Sequence, residues 1–244
     1  MVKTAVIMAA GLGSRFGKMT EDYPKGFIPV GERTMIERSI TTLLECGITR
    51  IILGVGYKKE CFEELALRYP EIECCYSPRY AETNSMYTLY LCREVLKDED
   101  FLLLESDLIY EKKALTVLLN CPKPDIMLIS PVTKFQDQYY VEYDEEHLLT
   151  RCSTDAGKLD VKGELVGIHK LSARFFAEMC TDYESKIENH LRMGYEFELE
   201  YMSQYIRPLY VLKEQLNWYE IDDDADLAYA EKHIIKHIDG KHNT

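Results

Sequence analysis

One small-residue turn and four charged side chains carry the chemistry that this chain of 244 residues could perform. Ala9, Ala10, Gly11, Gly13, Ser14 and Arg15 follow directly on an apolar stretch, Thr4 to Met8. With little or no side chain at Ala9, Ala10, Gly11 and Gly13, a ligand can approach the backbone closely. Successive N–H groups in such a turn form an anion-binding nest, and Arg15 adds a planar fork of donors suited to phosphate oxygens. Lys25, just after Pro24, can bring a point charge to the same anion. The combination points to a polyphosphate held at the C-terminal end of a first parallel strand. Asp107 and Asp222 stand just beyond two distant apolar stretches, Phe101 to Glu105 and Tyr219-Glu220-Ile221. Two carboxylates converging from strand ends suit a hard cation such as Mg²⁺, which takes carboxylate and phosphate oxygens together. Asp223 and Asp224 follow Asp222 at a helix start, so capping that helix is the rival role for Asp222.

The familiar phosphate-binding patterns do not fit. Gly11-Leu12-Gly13 is followed by Gly17 one residue too late for G-x-G-x-x-G, and no G-x-x-x-x-G-K-S/T occurs. The elements that must position these residues read as strands alternating with helices. Apolar runs at 50–55, 72–76, 101–105 and 125–130 predict strands. Thr34 can cap a helix to about Cys46 with Ile36, Ile40, Leu43 and Leu44 as its stripe, and Gly47 stops it. Further helices are predicted at 60–69, 86–96 and 114–119. This alternation is that of a doubly wound parallel sheet. Past residue 131 the rhythm changes. Segments 139–143 and 148–152 alternate around Asp144-Glu145-Glu146 as an antiparallel hairpin, and 163–169 reads as another strand. Helices follow at 172–183, with Ser172 as cap, and at 187–205, interrupted near Gly194. A late strand at 206–212 and a last helix at 225–237 complete the chain.

Composition excludes several classes of function. Asp and Glu number 42 against 29 Lys and Arg, a net charge of −13, which argues against duplex nucleic acid or an anionic membrane as partner. A cationic pocket for a phosphorylated small molecule is compatible with that surface. No apolar run approaches the length of a membrane span. The start, Met1-Val2-Lys3, lacks a cleavable signal pattern. Eight cysteines without a C-x-x-C are expected to be reduced thiols in a cytoplasmic protein.

The run A-A-G-x-G-S-R followed by P-K-G resembles the signature of sugar-phosphate and alcohol-phosphate nucleotidyltransferases. Leu102 to Tyr110, Gly163 to Ile168, Tyr195-Glu196 and Glu220-Ile221-Asp222 are similar to cytidylyltransferases acting on small amino-alcohol phosphates or phosphonates, the 2-aminoethylphosphonate and bacterial phosphocholine types. The resemblance covers nearly the whole chain. It implies a Rossmann-like doubly wound mixed sheet of the nucleotide-diphospho-sugar transferase type, with a small antiparallel acceptor-binding lobe. One domain is expected, with a nucleotide-binding half at 1–130, the acceptor lobe at 131–217, and 218–244 carrying a metal aspartate and the C-terminal helix. Mg²⁺ is implied on Asp107 and Asp222. CTP is implied on the turn from Ala9 to Arg15, on Lys25, and through its base on Tyr80, Ala81, Asn84 and Ser85.

The implied acceptor carries an ammonium group, which anionic and aromatic side chains accept. Tyr195, Glu196, Glu198, Tyr201 and Glu164 are the candidates, although residues 196–200 read equally as an acidic helix face. Lys134 is a candidate for the acceptor anion or else a loop lysine. Ser85 is a hydroxyl donor or the cap of its helix. An acceptor phosphonate is already an anion, so no general base is required, and the histidines show no catalytic placement. A sugar-1-phosphate nucleotidyltransferase using UTP or dTTP, and a non-catalytic nucleotide sensor, are the competing functions. The sequence leaves the oligomeric state open, a homodimer included.

Overall fold

The computed structural model describes residues 2–134 and 138–240, with the side chains of Ser14, Lys18 and Met19 outside that description. The chain begins with β1 (Thr4–Ala9), buried along its whole length, as its apolar run dictates. A small hairpin, β2 (Pro29–Val30) with β3 (Arg33–Thr34), leads into α1 (Met35–Glu45). Thr34 and Glu37 close a capping box at its start, and Ile36, Ile40 and Leu43 bury its inner face. The alternation continues through β4 (Arg50–Val55), α2 (Lys59–Arg68), β5 (Ile72–Tyr76), α3 (Ser85–Leu91), α4 (Arg93–Leu96) and β6 (Phe101–Glu105). The helix expected over 86–96 is thus two helices, broken at Cys92. Next come β7 (Leu108–Tyr110), α5 (Lys113–Asn120) and β8 (Ile126–Ser130).

The expected hairpin is β9 (Tyr140–Tyr143) with β10 (Leu149–Ser153), followed by β11 (Gly163–Leu171) and α6 (Ala173–Lys186). The Ser172 side chain accepts from Phe175 N–H at 3.1 Å, capping α6 as its position suggested. The stretch 187–205 is helical only at its ends, in a turn at Ile187–Asn189 and in α7 (Tyr195–Tyr205), with Gly194 as N-cap. β12 (Tyr210–Lys213) starts later than 206, because the N–H groups of Ile206 and Arg207 close the end of α7 on Met202. β13 (Trp218–Glu220), α8 (Asp224–Tyr229), a π-helical turn over Ala230–Ile234 and α9 (Ile235–Ile238) complete the described chain.

Among the described residues, nine strands form the main sheet. β1 lies parallel between β4 and β6, and β5 extends the parallel part beyond β4. Met8 pairs with both Gly54 and Glu105, so β1, β4 and β6 end at one level and their loops open on one edge. β11 lies antiparallel beside β6 and continues the sheet to β8 and the β9–β10 hairpin. All nine residues of β11 are buried, which suits a central strand of a mixed sheet. β12 joins β8 in parallel, and β7 pairs with β13 in a separate two-stranded sheet. That last pairing brings the chain beyond Glu220 next to the chain before Leu108.

Candidate active site

The loops at this sheet edge enclose a cavity of about 430 Å³. One wall is the small-residue turn, in which Gly13 holds φ +61°, a left-handed conformation that glycine adopts without strain. Its carbonyl accepts from Phe16 N–H at 3.1 Å and from Thr20 Oγ1 at 3.0 Å. Tyr57, just beyond β4, braces the turn, with its N–H on the Ala10 carbonyl at 3.2 Å and its hydroxyl on the Thr20 carbonyl at 2.9 Å. Gly56 makes this approach possible, since a Cβ there would fall 2.5 Å from Tyr80 Cβ and 2.7 Å from the Ala10 oxygen. The hydroxyl expected from Ser14 lies outside the described residues.

Lys25, Arg15, Asp107 and Asp222 meet on the cavity floor. Lys25 Nζ donates to Asp107 Oδ2 and Asp222 Oδ1, at 2.6 Å each. Arg15 Nη2 stands 2.8 Å from Asp222 Oδ1. Burial alone would lower the Lys25 pKa, but the two aspartates more than reverse this and hold it protonated well above the ordinary lysine range. Asp223, not Asp222, caps α8, accepting from the N–H groups of Ala225 and Asp226 at 2.9 Å each. The Asp222 carboxylate is thereby left to face the cavity.

Two further carboxyl groups that the sequence reading did not single out, Glu105 and Glu220, line the same floor. Ligand oxygens of Glu105, Asp107 and Glu220 lie within 4.8 Å of one another. Burial, then the neighbouring charges of Asp107, Glu220 and Glu196, pushes the Glu105 carboxyl well above the usual carboxylate range. Burial, then Asp107 and Asp222, pushes Glu220 up to about 8. Asp107 Oδ1 and Asp222 Oδ2 are buried without a hydrogen-bond partner among the described residues. Buried, unpartnered carboxylate oxygens among oxygen-only donors are a donor set that fits a hard divalent cation. The expected pair of Asp107 and Asp222 and the geometric trio share Asp107 but not the second carboxylate.

The opposite wall joins Tyr80, Asn84 and Ser85 to Tyr195 and Glu196. Asn84 caps α3 by accepting from Ser85 N–H at 2.8 Å. The N–H groups of Asn84 and Met86 donate to the carbonyls of Leu191 and Met193 at 3.0 and 3.3 Å. Ser85 Oγ accepts from Tyr195 N–H at 3.0 Å, so the hydroxyl serves the start of α7 and not a cap of its own helix. The Tyr195 hydroxyl donates to Glu105 and lies 3.4 Å from His169 Nε2. His169 is fully buried, and burial lowers its pKa to about 3, so it stays neutral behind the site. Burial pushes Glu196 up to about 7.

The structure does not bring Ala81, Lys134 or Glu164 to the cavity wall. Glu164 is fully buried and accepts from Thr133 N–H at 2.9 Å and Lys134 N–H at 3.3 Å, which fixes the turn after β8. Lys134 Nζ donates to the Glu220 carbonyl at 2.6 Å and to Asp226 Oδ2 at 2.9 Å, so its charge is spent behind the site. Glu105 and Glu220 had a usable signal. Each lies two residues before a nominated aspartate, and extended chain presents alternate residues on one face.

An α/β sheet whose strand-end cavity combines a glycine turn, two cations and converging carboxylates is the architecture of a nucleotide-handling domain. The chain belongs to the MobA-like NTP transferase domain family, which matches residues 5–169. The choline-phosphate cytidylyltransferase of Streptococcus pneumoniae is 44% identical over 92 residues, 38% of this chain and 40% of that protein. The 2-aminoethylphosphonate cytidylyltransferase of Lancefieldella rimae is 39% identical over 105 residues, 43% of each. The matched stretch thus spans about two-fifths of each curated relative. The solved CTP:phosphocholine cytidylyltransferase of S. pneumoniae superposes with a TM-score of 0.79 at 23% identity, covering 95% of this chain and 99% of that one. That likeness carries the Rossmann-like mixed sheet. Among the described residues, no helix is long and apolar enough to cross a membrane.

Proposed function

We propose that this chain transfers CMP from CTP to a small amino-bearing phosphonate, 2-aminoethylphosphonate being the first choice, and releases pyrophosphate. The observation that carries the reading is the division of one cavity. Arg15 and the glycine turn offer a cation and N–H donors along one wall, and Glu196 on the opposite wall, with Glu105 and Glu220 on the floor between, crowds carboxyl groups together. The first set suits a triphosphate. The second suits an ammonium group, whose charge would offset the cost of burying ionised carboxylates.

The acceptor oxygen attacks the α-phosphorus of CTP, a new P–O bond forms, and the bond to the β-phosphate breaks with its electrons on pyrophosphate. Lys25 has three N–H donors and the two aspartates use two, so one remains for a phosphate oxygen. Arg15, more than half exposed, can hold the β- and γ-phosphates. Tyr80 and Asn84 would receive the base, and Ser85, which holds Tyr195 N–H, would shape the acceptor side. Asp107 and Asp222, with Glu105 and Glu220 beside them, would hold Mg²⁺, which when bound neutralises charge developing on the phosphoryl oxygens. Since the acceptor is an anion already, the chain needs no residue to deprotonate it, and the buried neutral His169 takes no part. We place the protein in the cytoplasm, its thiols reduced.

Phosphocholine is the second acceptor, favoured by Tyr139 and Tyr195 on the cavity wall, since aromatic faces suit a quaternary ammonium. The test is ³¹P NMR of the chain with CTP, Mg²⁺ and 2-aminoethylphosphonate. A CMP–phosphonate mixed anhydride appearing together with pyrophosphate supports the reading. Unchanged CTP, or CMP with free phosphonate, contradicts it.

A further inference from the structure

β13 ends at Glu220, so the next residues, Ile221 and Asp222, sit outside a regular ladder although their segment supplies two of the site carboxyls. Three consecutive backbone groups here are each pinned. Ile221 N–H donates to the Asp107 carbonyl at 3.0 Å, which ties the two aspartate loops together. The Glu220 carbonyl accepts from Lys134 Nζ at 2.6 Å. Asp222 N–H donates to Asp226 Oδ2 at 3.0 Å. Lys134 and Asp226 are in turn paired at 2.9 Å, both more than four-fifths buried. Asp226 Oδ1 takes the Tyr219 hydroxyl at 3.2 Å, and the Lys134 ammonium stands 4.3 Å over the Tyr219 ring.

We propose that Asp226 and Lys134 are positioning residues, an ion-pair clamp that grips the peptide segment 220–222 from behind and fixes Glu220 and Asp222 for the cation. The proposal rests on the metal reading of the site. The pair is neutral, so it orients the segment without adding charge to a cavity already rich in carboxyls. Each partner also restrains the other. Without Asp226, the Lys134 ammonium is free to turn toward the site carboxylates and compete with a metal ion. Without Lys134, Asp226 becomes one more unpaired anion beside Asp222, and unpaired buried charge is costly. Groups that orient ligating carboxylates typically govern metal affinity by about 10–100-fold.

The clamp is tested on the whole chain by amide hydrogen exchange over 220–223 and by Mn²⁺ uptake followed by electron paramagnetic resonance. Asp226→Ala is expected to speed exchange at Asp222 by about tenfold or more and to weaken Mn²⁺ binding by about tenfold or more, with the rest of the exchange map unchanged. Asp226→Asn keeps an oxygen for Asp222 N–H and should fall between the two, which guards against a fold lost in the alanine variant. In a cycle of Asp226→Asn with Lys134→Met, the double variant should lose less Mn²⁺ affinity than the product of the single losses. Native-like exchange at Asp222 in both Asp226 variants would overturn the proposal, and so would single losses that simply multiply. If the unaltered chain takes up no Mn²⁺, the metal reading fails, while the exchange result still judges the clamp.

Discussion

The two sides of the cavity are built by different means. On the side proposed for the phosphates, the surface is backbone: a glycine turn after β1, braced by Tyr57 and made possible by the absent side chain of Gly56. On the side proposed for the acceptor it is ionisable side chains, with Glu196 from α7 standing over Glu105 and Glu220, which β6 and β13 bring to the floor. A turn can be specified by a few adjacent residues. A wall of side chains requires distant segments to be folded together first. The two sides should therefore fail differently when altered.

The largest effect is expected on the floor shared by both sides. Asp107→Asn or Asp222→Asn removes a charge that Lys25 and the proposed cation both use, and turnover should fall by about 10²–10³-fold or more. Pyrophosphate release measures it, with circular dichroism showing a retained fold. On the phosphate side, Gly56→Ala forces a methyl against Tyr80 and the Ala10 carbonyl. A loss of about 1–3 kcal/mol in stability is expected, as for overpacking. The KM for CTP should rise more than that for the acceptor, and steady-state kinetics with each substrate varied distinguishes this from general damage.

The acceptor side should respond more mildly. Ser85→Ala removes the acceptor of Tyr195 N–H, a bond worth about 1 kcal/mol. Acceptor KM is expected to rise a few-fold with kcat nearly kept. Equal changes in both KM values would dissolve the distinction between the two walls. The smallest effect is a pH trend. Burial holds Glu196 and Glu198 on α7 up to about 7, well above the ordinary glutamate value, with Asp182 adding to the rise at Glu198. The folded chain then binds more protons than the unfolded one between about pH 4.5 and 7, so stability falls as pH rises across that window. Melting temperatures of the ligand-free chain should decline over it, and less steeply in Glu196→Gln.

How much of this was legible in the sequence follows the same division. The turn from Ala9 to Arg15, Pro24-Lys25 and the apolar runs of β1, β4, β5 and β6 are contiguous, and local sequence reports them well. Asp107 and Asp222 were legible as strand-end carboxylates, but that Asp223 would take the capping role was not, because adjacent aspartates offer the same chemistry. Glu105 and Glu220 were passed over beside the aspartates they accompany. Lys134 and Glu164 read as acceptor ligands because residue type alone cannot tell which way a side chain turns. Glu164 is consumed by the turn at Thr133, and Lys134 by Glu220 and Asp226. Breaks such as Cys92 between α3 and α4, and the late start of β12, depend on hydrogen bonds that only the folded chain closes.

The central claim is that one cavity joins a triphosphate wall to an ammonium-accepting wall. Its most direct test is pyrophosphate release with Mg²⁺ and CTP against 2-aminoethylphosphonate, phosphocholine, phosphoethanolamine and glucose-1-phosphate. This arrangement predicts rapid release with the amino-bearing acceptors, led by 2-aminoethylphosphonate, and little with the sugar phosphate or when UTP replaces CTP. Release confined to glucose-1-phosphate, or preferring UTP, would contradict it by leaving the buried carboxyls of the acceptor wall without a cation to meet.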